Sequence, residues 1–320
     1  MAKLQPSVMT LNFRLDGTSG FIDLSQACSL VNRRFYRQGL QWAVSGVSLT
    51  QNTASTTAGS LTVETLPTTW VSSNAWHKSF ASWLKQQNEA IEEYGAESTV
   101  AKFRDFKIFM DTAHVQAFLD AGSDLNVTNM LPRTAVSTFT AGEWDPSQIV
   151  VPNYVVDPAT GSPALVDPAE FYLHMVGANF GPSSASRGMI DGYQYSRAFP
   201  QSPDPVSPAQ DSNFNWMRDM FDVGNDSSEI VDNATDNNDQ LPYPQVDYPG
   251  GDTQAPQLQL ISEHYISGAQ TIDRRISVSG FMAPCGLIKI GNQPGTALDI
   301  QVHLMPGTHR GYLAEPMQDM

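Results

Sequence analysis

Short alternations of apolar and polar residues stand at both ends of this 320-residue chain, and no other feature narrows its fold as much. Near the start, residues 11–15 read as a short strand closed by Asp16-Gly17. Leu40, Trp42 and Val44 alternate with polar or small residues and run on through Gly46 to Val47 and Leu49. A polar loop over 51–59 follows, after which Leu61, Val63 and Thr65 resume the alternation. Near the end, 258–261, 275–281, 287–290 and 297–304 are four more strand candidates, separated by Gly280, Pro284-Cys285-Gly286 and the 291–295 turn. A period of two sends one set of side chains to each face of a sheet, so these segments suit strands with one face buried. The 40–49 and 61–65 segments are expected to pair as an antiparallel hairpin. The whole is expected to be an all-β-dominated sandwich, closed by pairing early strands with late ones, with helical insertions and long surface loops between.

Two helices are expected among the early strands. One begins near Asp23 and ends before Gly39, with Leu24, Cys28, Val31 and Phe35 spaced by four, three and four. Arg33, Arg34 and Arg37 fall to the side or back of that stripe and form the densest basic cluster in the chain. They suit either a solvated helix face or contact with phosphate or an acidic neighbouring subunit. In the second helix, capped by Ser73 or Asn74 and ended by Tyr94-Gly95, the apolar face holds Trp76, Phe80, Trp83, Leu84 and Ile91. Trp76, Phe80 and Trp83 stand at i, i+4 and i+7, an aromatic stripe that suits a core or a subunit contact. Residues 103–110, 135–140 and 149–156 read as further strands, and 171–176 as a buried strand in which His174 is a satisfied core histidine.

Composition supports strands and turns over long exposed helices: 41% of residues are hydrophobic and only 16% charged, with Gly 23 and Pro 21. The length fits one large β-rich domain or two ordinary ones. The net charge of -15 is unevenly placed, because residues 201–256 carry eleven carboxylates against the single base Arg218. That Pro-rich stretch is expected to be a surface loop, since unpaired carboxylates are costly to bury. The acidic excess argues against sequence-blind nucleic-acid binding by the surface as a whole and leaves room for a local basic patch. Within the stretch, Asp226, Glu229, Asp232 and Asp236 offer the hard oxygen ligands that calcium takes, without EF-hand spacing. They suit a solvated loop or a calcium site at a subunit boundary.

Catalytic signatures are missing from the sequence: there is no GxSxG, P-loop, GxGxxG or HExxH, and the six histidines show no metal-ligand spacing. Glu263-His264 would point to opposite faces of a strand. Cys28 and Cys285 read as two buried free thiols rather than a disulfide framework. Three sequons, at Asn126, Asn225 and Asn233, arise easily by chance. No segment has the apolar length of a signal peptide or a membrane span, so no membrane partner is expected.

Several blocks carry a family likeness. Leu11-Asn12-Phe13, then 21–25 (Phe-Ile-Asp-Leu-Ser) and 31–39 (Val-Asn-Arg-Arg-Phe-Tyr-Arg-Gln-Gly) resemble the opening of capsid proteins from environmental, largely marine, circular Rep-encoding single-stranded DNA viruses. The 66–80, 103–108 and 302–318 blocks are similar to the same group, so the likeness covers roughly the first 110 and last 65 residues. It implies a non-enzymatic single jelly-roll coat subunit over 1–320, with 201–256 as an acidic surface-loop insertion. Such a subunit would assemble with itself, in sixty copies or a multiple, into an icosahedral virion shell around a small circular ssDNA genome. On that view Arg33, Arg34 and Arg37 face the lumen, Trp76, Phe80 and Trp83 anchor subunit packing, and calcium is a candidate only at subunit interfaces. One departure is that residues 1–10 hold Lys3 where many such proteins carry an Arg-rich arm. The competing expectation is a secreted or cell-surface β-sandwich that binds glycans, with calcium in the acidic loop.

Overall fold

The computed structural model describes residues 7–51, 57–95, 105–156, 163–181, 185–196, 258–267 and 274–320. They gather into two compact units, Met1–Thr68 with Ala113–Asp145 and Leu258–Met320 in the first, Thr69–Thr112 with Pro146–Gln257 in the second. In chain order the elements begin with β1 (Thr10–Leu15), β2 (Ser19–Asp23), α1 (Leu24–Asn32), β3 (Leu40–Gln51) and β4 (Gly59–Thr65). Then come α2 (Trp70–Glu93), α3 (Thr112–Asp120), α4 (Leu125–Thr128), β5 (Gln148–Val156), β6 (Pro163–His174), β7 (Ser186–Gly188) and α5 (Met189–Ser196). The chain closes with β8 (Gln259–Ile266), β9 (Arg274–Ala283), β10 (Leu287–Asn292), β11 (Leu298–Leu304), β12 (Pro306–Gly307), β13 (Gly311–Tyr312) and β14 (Ala314–Pro316).

Two antiparallel sheets make the first unit. In one, β11 lies between β1 and β3, while β9 and the short β14 also pair with β3. In the other the order is β2-β10-β4-β8. Every pairing within these two sheets joins an early strand to a late one, as the alternation at the two ends of the chain predicts, and the short β12 and β13 pair with each other. The period of two supplies the core: Leu11, Phe13 and Leu15 of β1 and Leu298, Ile300, Val302 and Leu304 of β11 join Ile22, Ile288, Ile290, Leu61 and Val63 of the second sheet in one buried cluster. Each such side chain contributes about 1.5–3 kcal/mol by leaving water. One end of the cluster is aromatic, with Tyr36, Trp42 and Tyr312 fully buried and their ring centroids 5.5–5.7 Å apart. Gly286 sits against this group in the left-handed region (φ 67), where a Cβ would come 3.0 Å from Trp42 Cδ1. Only glycine fits there without strain.

Three expectations are corrected. The 40–49 and 61–65 segments are both strands, but they belong to different sheets and do not form a hairpin. Late strands flank β3 on both sides, so no edge is left for β4. Helix α1 stops at Asn32 instead of running to Gly39, because Arg33 adopts φ 53 at its C-cap. The 105–110 and 135–140 segments make isolated bridges only, Phe109 to His174 and Arg133 to Thr138.

In the second unit, α2 begins at Trp70 with Thr69 as its cap, Oγ1 accepting from Ser72 N at 3.4 Å, one turn before the expected Ser73 or Asn74. A three-stranded sheet pairs β5 with β6 antiparallel and β6 with β7 parallel. His174, on β6, is fully buried with Nε2 3.0 Å from the Ala178 carbonyl, and burial pushes its pKa down to about 4. No helix among the described residues is long and apolar enough to cross a membrane.

Candidate functional site

The basic residues singled out by sequence sit on a turn rather than a helical stripe. Past Asn32 the chain leaves the helix axis, with Arg33 and Arg37 exposed and Arg34 half-buried. Tyr36 anchors the turn: its N–H donates to Ser29 Oγ at 2.9 Å and its hydroxyl to the Arg310 carbonyl at 3.1 Å. The Arg310 guanidinium in turn donates to the Phe35 carbonyl. The fold therefore adds a fourth arginine from the far end of the sequence to the three expected ones. The His309 ring lies 6.3 Å from the same Tyr36 ring at a tilt of 56°, and burial, with Arg310 beside it, lowers its pKa.

A second basic site has no local signature in the sequence. It is a groove of about 500 Å³ on the outer face of the first sheet. Strand register explains it. Arg14 of β1 pairs with Asp299 of β11, Asp299 with Thr50 of β3, and Thr50 with Arg275 of β9, so four strands place these side chains on one rung. The next rung is Asn12, Gln301, Ser48 and Ser277, with Gln301 Nε2 donating to Asn12 Oδ1 at 3.1 Å. A wall rises beside β1, where Arg133 N donates to the Asn12 carbonyl at 2.8 Å and the Arg133 guanidinium reaches Asp299 at 3.5 Å. Arg275 donates to Ser48 Oγ at 3.3 Å, and Arg14 Nε to Asp16 Oδ1 at 2.9 Å. Among the described residues of the lining, Asp299 is the sole carboxylate, against three guanidinium groups. The alternation of β1 and β9 marks Arg14 and Arg275 as outward-facing; nothing local to the sequence brings them, or Arg133, together.

The outer face of the second sheet differs. Phe21 of β2 is covered by His114 of α3, the rings stacked at 4.2 Å and 8°, and Lys289 lies 5.8 Å over the same ring. His114 Nε2 is 3.0 Å from Asn129 Oδ1, Asn129 donates to Gln26 Oε1 at 3.0 Å, and Gln26 to Asn126 Oδ1 at 2.8 Å. The Asn126 sequon amide is thus engaged in a polar chain, and also donates to the Gly142 carbonyl at 2.9 Å. Lys289 is 3.9 Å from Glu64, and Glu263 stands opposite Thr62 on the edge strand.

The aromatic stripe lies within the second unit. Trp76 and Trp83 are buried and Phe80 half-buried, and all three rings pack on Phe106 at 5.6–6.1 Å. All three are thus packed within their own unit, with Phe80 the most exposed of them. Lys78, on the same helix, donates to the Ser196 carbonyl at 2.5 Å, and burial lowers its pKa to about 8. Asp226, Glu229, Asp232 and Asp236, with the rest of the 201–256 insertion, lie outside the described residues, as do the Asn225 and Asn233 sequons. Among the described residues no group of three or more His, Cys, Asp or Glu could hold a metal ion. Glu263 and His264 pair with Thr62 and Leu61 and so occupy opposite faces of β8. Cys28 and Cys285 are free and buried, and burial raises the Cys28 thiol pKa.

No family model, no curated protein and no solved structure matches this chain.

Proposed function

We propose that this chain is a viral coat subunit, a jelly roll that assembles with copies of itself into an icosahedral shell around a small circular ssDNA genome, and that it resides in the virion. The observation that carries the reading is the strand order. Counting only the eight main strands of the sandwich, β1, β2, β3, β4, β8, β9, β10 and β11, the first pairs with the eighth, the second with the seventh, the third with the sixth and the fourth with the fifth. That is one long antiparallel hairpin. The pairings of the eighth with the third and the seventh with the fourth roll it into two four-stranded sheets. Two interleaved Greek keys of this kind are the jelly roll used by viral capsids and also by lectins. The likeness of the early and late sequence blocks to capsid proteins of single-stranded DNA viruses favours the shell over the lectin, and the absence of a convergent catalytic set in the sequence is consistent with a structural role.

Size-exclusion chromatography with light scattering, followed by negative-stain microscopy, tests this directly. A megadalton species of uniform spheres is expected. A stable species near 35 kDa across changes of salt, pH and calcium would overturn it and leave the glycan-binding module as the reading to pursue.

A further inference from the structure

We propose that the groove on the outer face of the first sheet binds the phosphate backbone of a nucleic-acid strand. The proposal deepens the shell reading by naming where its cargo is held, and it is measured separately from assembly.

Charge singles this groove out. In a chain of net charge -15, three arginines from three separate segments converge on one concave surface against a single carboxylate among the described lining residues. Asp299 lies 3.5 Å from Arg133 and also acts electrostatically on Arg14, and the rung carries Arg14 and Arg275 at its two ends. Three inter-strand steps of about 4.8 Å put the backbones of these two residues about 14 Å apart. That spacing suits a polyanion with charges in series better than one small ion. Arg275 uses one of its five N–H donors on Ser48, and Arg14 is held by an exposed pair with Asp16, whose side chains are 44% and 68% exposed. Exposed pairs of this kind are weak and exchange readily for a phosphate, which guanidinium groups bind in bidentate fashion.

Polar neighbours fit the same ligand. Asn12, Gln301 and Thr50 line the groove with amides and a hydroxyl that can donate to phosphate and sugar oxygens. No aromatic ring among the described lining residues offers its face for base stacking, Phe13 being 1% exposed. Recognition is therefore of backbone and not of sequence. The opposite outer face supplies the contrast, since Lys289 there is matched by Glu64 and covers Phe21.

The test is fluorescence anisotropy of labelled oligo-dT, about twelve nucleotides long to span one such groove, with the full chain at several salt concentrations, oligomeric state being followed in parallel by light scattering. Wild type is expected to bind, with an affinity that falls with salt. The double variant Arg133→Gln/Arg275→Gln is expected to bind about tenfold or more weakly, with a salt slope smaller by about 0.7 for each phosphate no longer neutralised. Asp299→Asn is expected to bind several-fold more tightly, a gain that no folding defect would produce. Should the double variant fail to fold, Arg275→Gln alone, at an exposed position, and Asp299→Asn carry the test. Any of three results overturns the proposal: no binding by wild type, groove variants that fold and bind as wild type does, or inorganic tripolyphosphate displacing the strand as well as unlabelled oligo-dT at equal phosphate. Groove-dependent binding by a chain that never assembles would sink the shell reading and leave this one standing; shells whose strand binding ignores the groove would do the reverse.

Discussion

The two outer faces of the sandwich are built by the same alternation yet differ in what covers them. On the second sheet, Phe21 points away from the sandwich core and is capped by His114, with Lys289 and a chain of amides closing the surface. On the first sheet, the corresponding outward positions are Arg14, Asn12, Thr50 and Arg275, which remain lining for a groove. An apolar side chain on an outward face draws a second layer over it, whereas hydrated charges there cost nothing to leave in water. The difference teaches that the stretch left open is the one whose outward positions, Asn12, Arg14, Thr50 and Arg275, hold no apolar residue to hide.

Truncating Phe21→Ala should have the largest effect, lowering unfolding free energy by about 3–5 kcal/mol in a urea titration. Asn12→Ala on the other face should cost less than about 1 kcal/mol. Equal costs would dissolve the contrast between a covered and an open face. Next in size is His114→Phe, which keeps a ring over Phe21 but removes the partner of Asn129 Oδ1 at 3.0 Å. A loss of about 1–3 kcal/mol is expected, read as a lower thermal midpoint; an unchanged midpoint would mean that stacking alone closes this face.

Smaller effects separate the basic sites. Reversing Arg33, Arg34 and Arg37 to Glu should reduce strand binding about twofold to threefold, as screened charges at or near the surface do, and, on the proposed shell reading, lower the nucleic-acid content of the shell while leaving it intact. A loss larger than that of the groove variants would move the principal phosphate-binding surface to the turn. Smallest of all, Lys289→Gln should alter stability by less than about 1 kcal/mol and leave oligo-dT binding unchanged; weaker binding would show that the covered face also meets the strand.

Much of the sandwich was legible because burial writes a period of two into any strand with one wet face. The late strands and most inward residues follow from it, Leu298, Ile300 and Val302 among them. The first helix shows how period reading fails. Phe35 continues the four-three-four spacing of Leu24, Cys28 and Val31, but Arg33 turns left-handed and the tyrosine beside it, Tyr36, is the residue that packs inside. Spacing records which residues are apolar, not where a chain stops being helical. The aromatic stripe at Trp76, Phe80 and Trp83 is visible from helical spacing; that it closes on Phe106 is not, because Phe106 stands in the 103–110 segment, which reads as a strand and whose described residues make only an isolated bridge.

The sequence by itself determined where most strands of the sandwich form, which of their side chains turn inward, and that early and late segments had to meet, since neither group alone could cover its apolar faces. Local sterics and burial act over a few residues, and their trace is periodic. Only the tertiary structure decided that β3 and β4 part into different sheets, and that Arg14, Asp299, Thr50 and Arg275 share one rung. Register between distant strands is set by how whole faces pack and how long loops close, and no single segment carries that information.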